Sequence, residues 1–443
     1  MLSRIQLRIG PILVDRGLNM QVVFQNATVV NPDAITEGST VVIERGKFVP
    51  GGRVRRGQKN IVLDAGNWLL FPGLINLHDH LRGTWLPRCG NGPYQNVYQW
   101  MRELHAKPSA FAPARERDRV SMPHLYWLGA YKNLFSGVTT VVDHYVRLDP
   151  SIYAHLPIRL ITEFGREGVV RTYHEPQAFP SWGDGIVAEY QRCAGRCPFI
   201  IHVEEGVDEE TGTELHRLER LGVLGPASIL IHGIGFDDED IELVAQNKCH
   251  MVWCPATHEF LYGRTGNVAK WLKRKINTAL GTDSSLTGGL NLFDEMRTAR
   301  RFFGQAFGKM LPLDELFKMV TCNPARALMM ADKIGRIEPG YAGDVLVLER
   351  RPDGSPLETL VEAEPQDIVL LLQDGRPRYG DEQVASLFEA IPEPVGSTPI
   401  RVGGKPKRIV GHPVQLLHDV WKEIGRRYHP AFLPFEDTAR ESD

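Results

Sequence analysis

The chain has 443 residues, 42% hydrophobic and 24% charged, enough for one large domain and a smaller one, each with its own core. Its 51 Lys and Arg nearly balance 54 Asp and Glu, so no basic field draws in nucleic acid or an anionic membrane, and the expected partner is a small molecule. No apolar run reaches membrane-spanning length, and the six scattered cysteines make no disulfide framework; Cys193 and Cys197 in "RCAGRC" lack the second pair that a structural zinc site needs.

The first 19 residues hold no continuous apolar core with a small-residue cleavage site and read as an extension that adds little. A reducing, cytoplasmic setting and a homo-oligomer are expected. From 20 to 64, "MQVVFQNATVV", "STVVIERGKFV" and "NIVLDAG" alternate apolar and polar residues between Asn, Gly and Pro breaks, the pattern of a small β unit. Beyond residue 66 short apolar runs alternate with helical stretches: "FPGLINLHDHLRG", "VTTVVDHY", "PFIIHVEE", "SILIHGIG", "HMVWCP" and "INTALGTD". Strands separated by helices imply βαβ units and a parallel sheet. Short strands return in "VLVLER" and "DIVLLLQDGRPRYG", with a further one suggested by "RIVGH". The expected layout is a barrel over 67–333, a composite β-sandwich domain from 1–66 and 334–400, and a C-terminal extension over 401–443.

Polar residues sit where these apolar runs end. His78 and His80 close one, His202 another, His232 a third, and Asp283 the last. In a parallel barrel the C-terminal strand ends converge on one mouth, where such folds carry out chemistry. Alternate residues of a strand share a face, so His78 and His80 can both point inward while Asp79 points away. Imidazoles with one carboxylate suit zinc, with iron as the second choice. A lone histidine is more often a hydrogen-bonded core residue, and Asp283 before two serines can cap a helix. Five such residues in order at strand ends are harder to explain as packing, because buried polar groups need partners. His144 and His174 also follow strand-like runs.

As an ordered set, "PGLINLHDHL", "SGVTTVVDH", "IHVEEG", "LIHGIGFDDED", "WCPATHEFL", "ALGTDSS" and "TCNPARAL…IGRIEPGYAGDVLVL" resemble the successive signatures of the amidohydrolase superfamily. They are most similar to its cytosine deaminase-like and triazine hydrolase-like branch. The resemblance spans about residues 21 to 380. It implies a distorted (β/α)8 barrel with a composite β-sandwich, and one divalent metal, zinc or iron, on His78, His80, His202 and Asp283. It also implies a proton-shuttling role for Glu205, contact of His232 with substrate and attacked centre, and Asp283 as acceptor of the proton of the attacking water. The lysine that bridges two metals in binuclear relatives has no counterpart, since no lysine occurs between Lys132 and Lys248, so a single metal is expected.

Two departures stand out. Residues 175–198 leave room for one helix but hardly for a full strand with two helices, so the fourth barrel strand is expected to be short, irregular or missing. The family's "CPxSN" reads "CPATHEF", with Thr257 and His258 in place of Ser-Asn. The loop "RGTWLPRCGNGPYQNVYQW" is rich in aromatics and reads either as a packed cover or as a lid that stacks on a planar substrate. Expected pocket residues are Arg88, Tyr94, Trp100, His174, Trp182 and His258. The expected reaction is hydrolytic cleavage of a C–N bond in a small amino-substituted heterocycle or amidine. A cyclic amide or ureide hydrolase and an inactive barrel used for binding are the alternatives.

Overall fold

In the computed structural model the described residues are 20–436, except 53, 56–58, 86, 108, 110 and 174. The chain makes a parallel barrel and a separate ten-stranded sheet. In the separate sheet, Met20–Asn31 pairs antiparallel with Ala34–Glu44 and parallel with both Lys59–Asp64 and Trp68–Pro72. Trp68–Pro72 then pairs antiparallel with Val345–Glu349, so the segments before and after the barrel meet in one ladder. Ile368–Gln373 and Arg376–Asp381 continue it, and the hairpin Ser397–Val402 with Lys405–Val410 ends it. Alternate residues Val22, Phe24, Val345, Val347 and Leu370 cover one face.

Both expected boundaries shift as a result. Trp68–Pro72 belongs to the sheet and not to the barrel, because "WLLFPGLINLHD" is one apolar run in which only Gly73 marks the change of partner. The sheet also continues past residue 400 through its last hairpin. Cys193 and Cys197, from which no disulfide was expected, are joined by one; the left-handed Ala194 turns the chain just after the helix Ile186–Cys193 and brings their Cα atoms to 4.9 Å.

The barrel strands are β1 (Leu74–Asp79), β2 (Val138–Asp143), β3 (Arg159–Ile161), β4 (Gly165–Val169), β5 (Phe199–Val203), β6 (Ser228–His232), β7 (His250–Trp253) and β8 (Asn277–Leu280). They are rich in Val, Ile and Thr and buried on both faces, as a parallel sheet covered by helices requires. β3 pairs in parallel with β2, and β4 in parallel with β5. Only residues 162–164 separate β3 from β4, too few for a crossover, so the two are halves of one bent strand. One of the eight strand positions is therefore lost, as the short 175–198 segment implied. "VVRTYH" was read as strand-like; Val170–Tyr173 is instead a 3-10 turn, and His174 lies outside the described residues.

Closure between β8 and β1 is made at the mouth, where Asp283 N–H donates to the His78 carbonyl at 3.0 Å. Gly281 permits that approach, since a Cβ there would lie 2.6 Å from the His78 Cβ. Inside the barrel Ile75, Leu77, Val142, Ile200, Ile229 and Val252 form an apolar floor, leaving the polar residues at the opposite end.

Candidate active site

Strand ends bring the histidines and Asp283 together. His78 Nε2 and His80 Nε2 lie 3.5 and 3.4 Å from Asp283 Oδ1. The His202 ring centre is 5.0 Å from that of His78 and 5.3 Å from that of His232. His78 is fully buried and neither of its ring nitrogens has a hydrogen-bond partner among the described residues. Leaving such atoms unpaired costs about 1–3 kcal/mol apiece, so the arrangement is one that a cation would complete. Donor atoms of His78, His80 and Asp283 all lie within 4.8 Å of one another, as do those of His78, His202 and His232, and those of His232, Cys254 and Asp283. Cys254 is a member the sequence reading did not pick out, although it too ends an apolar run; burial raises its thiol pKa well above the ordinary range and disfavours the thiolate.

Neighbouring groups set the ring orientations. His202 Nδ1 donates to the Gly168 carbonyl at 2.5 Å, which leaves its Nε2 lone pair free. Asp79 turns outward, and accepts from Lys132 Nζ and Asn133 Nδ2, both at 2.9 Å. Asp283 Oδ2 accepts from Thr257 Oγ1 at 2.9 Å. Backbone strain gathers here, because His232 and Asp283 hold φ of 78° and 56°, a region that residues with side chains seldom adopt.

Burial pushes His80 down to about 4, with His78 adding to the shift, and lowers His202 and His232 well below the usual imidazole range. Burial alone would raise Asp283, but His78, His80 and His232 hold it well below the ordinary carboxylate value. Glu205 is only 6% exposed and is shifted the other way, raised well above its ordinary range by burial and by the Asp283 charge. Its Oε1 accepts from Tyr262 Oη at 2.8 Å, and its Oε2 lies 3.4 Å from His232 Nε2. The two carboxyl groups are thus shifted in opposite directions, the separation that acid–base chemistry uses.

The expected pocket residues divide. Trp182 reaches the cluster, its ring edge-on to His80 at 5.9 Å and to His202 at 5.9 Å. His258 reaches it through His232, Nε2 to Nδ1 at 3.1 Å. The other three are engaged elsewhere. Arg88 Nε donates to the Gly288 carbonyl, Tyr94 Oη to Glu103, and Trp100 Nε1 to the Cys89 carbonyl. Their loop is a packed cover: Tyr94 packs with Ile234, Leu261 and Tyr262, and Val97 N–H donates to the Glu205 carbonyl at 2.9 Å. His144, buried with both ring nitrogens unpartnered, faces His202 at 4.7 Å and Trp182 at 5.2 Å between ring centres.

The model of the amidohydrolase family matches residues 195–377, the stretch that carries His202, Glu205, His232, His258 and Asp283. A 5-methylthioadenosine/S-adenosylhomocysteine deaminase of Caldanaerobacter subterraneus is 25% identical over 398 residues, 78% of this chain and 88% of that protein. A 5'-deoxyadenosine deaminase of Methanosarcina mazei is 26% identical over 420 residues, 83% of this chain and 95% of that protein. Among solved structures, the atrazine chlorohydrolase of Arthrobacter aurescens complexed with zinc superposes with a TM-score of 0.64 at 19% identity, covering 84% of this chain and all of that one.

Proposed function

We propose that this chain is an amidohydrolase and a deaminase, one that hydrolyses the exocyclic C–N bond of a small amino-substituted heterocycle, with one divalent metal held by His78, His80, His202 and Asp283. The observation that carries the reading is the pairing of these converging donors with Glu205, a buried carboxyl held 3.4 Å from His232 Nε2 by Tyr262. The unpartnered nitrogens of His78 and the free Nε2 of His202 fit a nitrogen-preferring ion, and zinc is the first candidate. Such an ion, when bound, activates water as a nucleophile near neutral pH.

The protein's own groups do the rest. Asp283, held ionised, accepts the proton that the attacking water releases. Glu205 donates its proton to the ring nitrogen next to the attacked carbon, which draws electrons from that carbon. His232 Nε2, with no hydrogen-bond partner inside the protein, meets the oxygen that becomes negative in the tetrahedral centre. The amine takes up the proton held by Asp283 and departs as ammonia with the electron pair of the broken C–N bond, while the remaining hydroxyl proton passes to the Glu205 carboxylate as the oxygen becomes a carbonyl, restoring the acid. Trp182, half-buried against His80 and His144, supplies an aromatic wall for a planar ring. The relatives' names place 6-aminopurine nucleosides first on a substrate panel, before pterins, pyrimidines and triazines.

The test is ammonia release across that panel by the zinc-loaded protein and by Glu205→Gln. The variant should keep its metal, while kcat drops by about 10²–10⁴-fold. Loss of metal from Glu205→Gln, or an unchanged kcat, would show that the acid lies elsewhere.

A further inference from the structure

The Trp253–Thr265–His258–His232 chain has a direction that a row of ring nitrogens alone would lack. Trp253 Nε1, which can only donate, gives its proton to Thr265 Oγ1 at 2.8 Å. Thr265 Oγ1 lies 2.9 Å from His258 Nδ1, the one acceptor among the described side chains that its own hydrogen meets. His258 Nε2 lies 3.1 Å from His232 Nδ1. If Thr265 donates to His258 Nδ1, His258 carries its hydrogen on Nε2 and gives it to His232 Nδ1. His232 must then carry its own hydrogen on Nε2, the atom that faces Glu205 at 3.4 Å and has no hydrogen-bond partner among the described residues. His258 is fully buried and its two ring nitrogens are occupied by these two contacts.

We infer that His258 is a positioning residue, and that Trp253, Thr265 and His258 together lock His232 in the Nε2–H form. Two consequences follow. His232 becomes a hydrogen-bond donor to the reacting centre, beside the Glu205 carboxyl. It also loses the lone pair that would let Nε2 serve as a metal ligand, although its place in two of the donor sets would otherwise allow it. The site then holds one ion. The role of donor to substrate rests on the deaminase reading; the tautomer does not.

The test is nitrogen-15 NMR of histidine-labelled, zinc-loaded full-length protein, with His232→Gln used to assign the His232 signals. The expected spectrum shows His232 protonated at Nε2 with Nδ1 as acceptor; a proton on Nδ1 in the wild type overturns the inference. Thr265→Val, which keeps shape but removes the hydroxyl, should shift His232 toward a mixture of tautomers, and Thr265→Ser should restore the wild-type pattern. An unchanged spectrum in Thr265→Val also overturns it. In the deamination assay Thr265→Val should lose about 10–100-fold in kcat with KM within about two-fold, with kcat counted per zinc-loaded, folded site so that loss of folded protein cannot produce the drop. The spectra require no substrate, so a failed activity screen would count against the deaminase reading and leave the tautomer decided.

Discussion

Glu204 and Glu205 are neighbours at the end of β5 with opposite surroundings. Glu205 turns to His232 and Tyr262, whereas Glu204 turns away, its Oε1 accepting from Leu215 N–H at 3.2 Å. Glu204 is fully buried, and burial with the nearby Asp240 charge raises it to about 8. Its folded value lies above its unfolded value of 4.5, so the folded state binds the proton more tightly. The stability this confers is complete below pH 4.5 and is lost as the pH rises through about 8. Glu204→Gln cannot ionise and should remove that slope. Melting temperatures measured from pH 5 to pH 9 should therefore fall more steeply for the wild type than for the variant; parallel curves would show that Glu204 does not titrate in this range.

Among the elements, the helix Met122–Leu134 most directly supports the mouth. Lys132 and Asn133 in its last turn reach Asp79, which sits between the two histidines of β1. Lys132 and Asp79 are both fully buried, and Lys132 Nζ also lies 3.4 Å from the Asp283 carbonyl. Removing one partner of a buried pair leaves an uncompensated charge, at a cost of about 3–5 kcal/mol. Lys132→Met should lower unfolding stability by that order in denaturant titration and weaken zinc binding, and adding Asp79→Asn should recover part of the loss. A double variant no better than the single one would mean that the two side chains do not interact energetically.

Such tertiary pairings limited what could be read from the chain. The apolar runs and the polar residues ending them were visible, because strand burial and the convergence of strand ends are written locally in β1, β5, β6 and β8. The partners of those residues were not: Tyr262 joins Glu205 across 57 positions and Lys132 joins Asp79 across 53. Aromatic composition also misled at Tyr94 and Trp100, since the sequence does not say whether a ring's polar atom finds a protein partner. His258 was visible as a departure from the family pattern, but its direction of hydrogen bonding needed Thr265 and Trp253 in place.

At the scale of the whole molecule, the segment after the sheet's last hairpin runs from the sheet to the barrel as a strap. The helix Pro413–Ile424 buries Leu416, Leu417, Val420 and Ile424, and the chain beyond buries Phe432, Leu433 and Phe435 in the core cluster that also holds Tyr126, Tyr131 and Phe135. Glu423 Oε2 accepts from Ser121 N–H at 2.9 Å, just before the helix that carries Lys132, and Tyr131 Oη donates to the Val410 carbonyl at 3.1 Å. Residues 401–443, expected as an extension, thus include part of the central core. Full burial contributes about 1.5–3 kcal/mol per large apolar side chain, so these seven together account for roughly 10–20 kcal/mol as an upper bound. Net stability of a folded domain is about 5–15 kcal/mol, so the strap's share is comparable to the whole. A chain ending at His412 should therefore fail to give soluble, cooperatively melting protein, and should expose the side of Met122–Leu134 that carries His124. Circular dichroism melts of the truncated and full-length proteins decide this: a sharp transition within a few degrees of the full-length value would show that the barrel and sheet hold together without the strap.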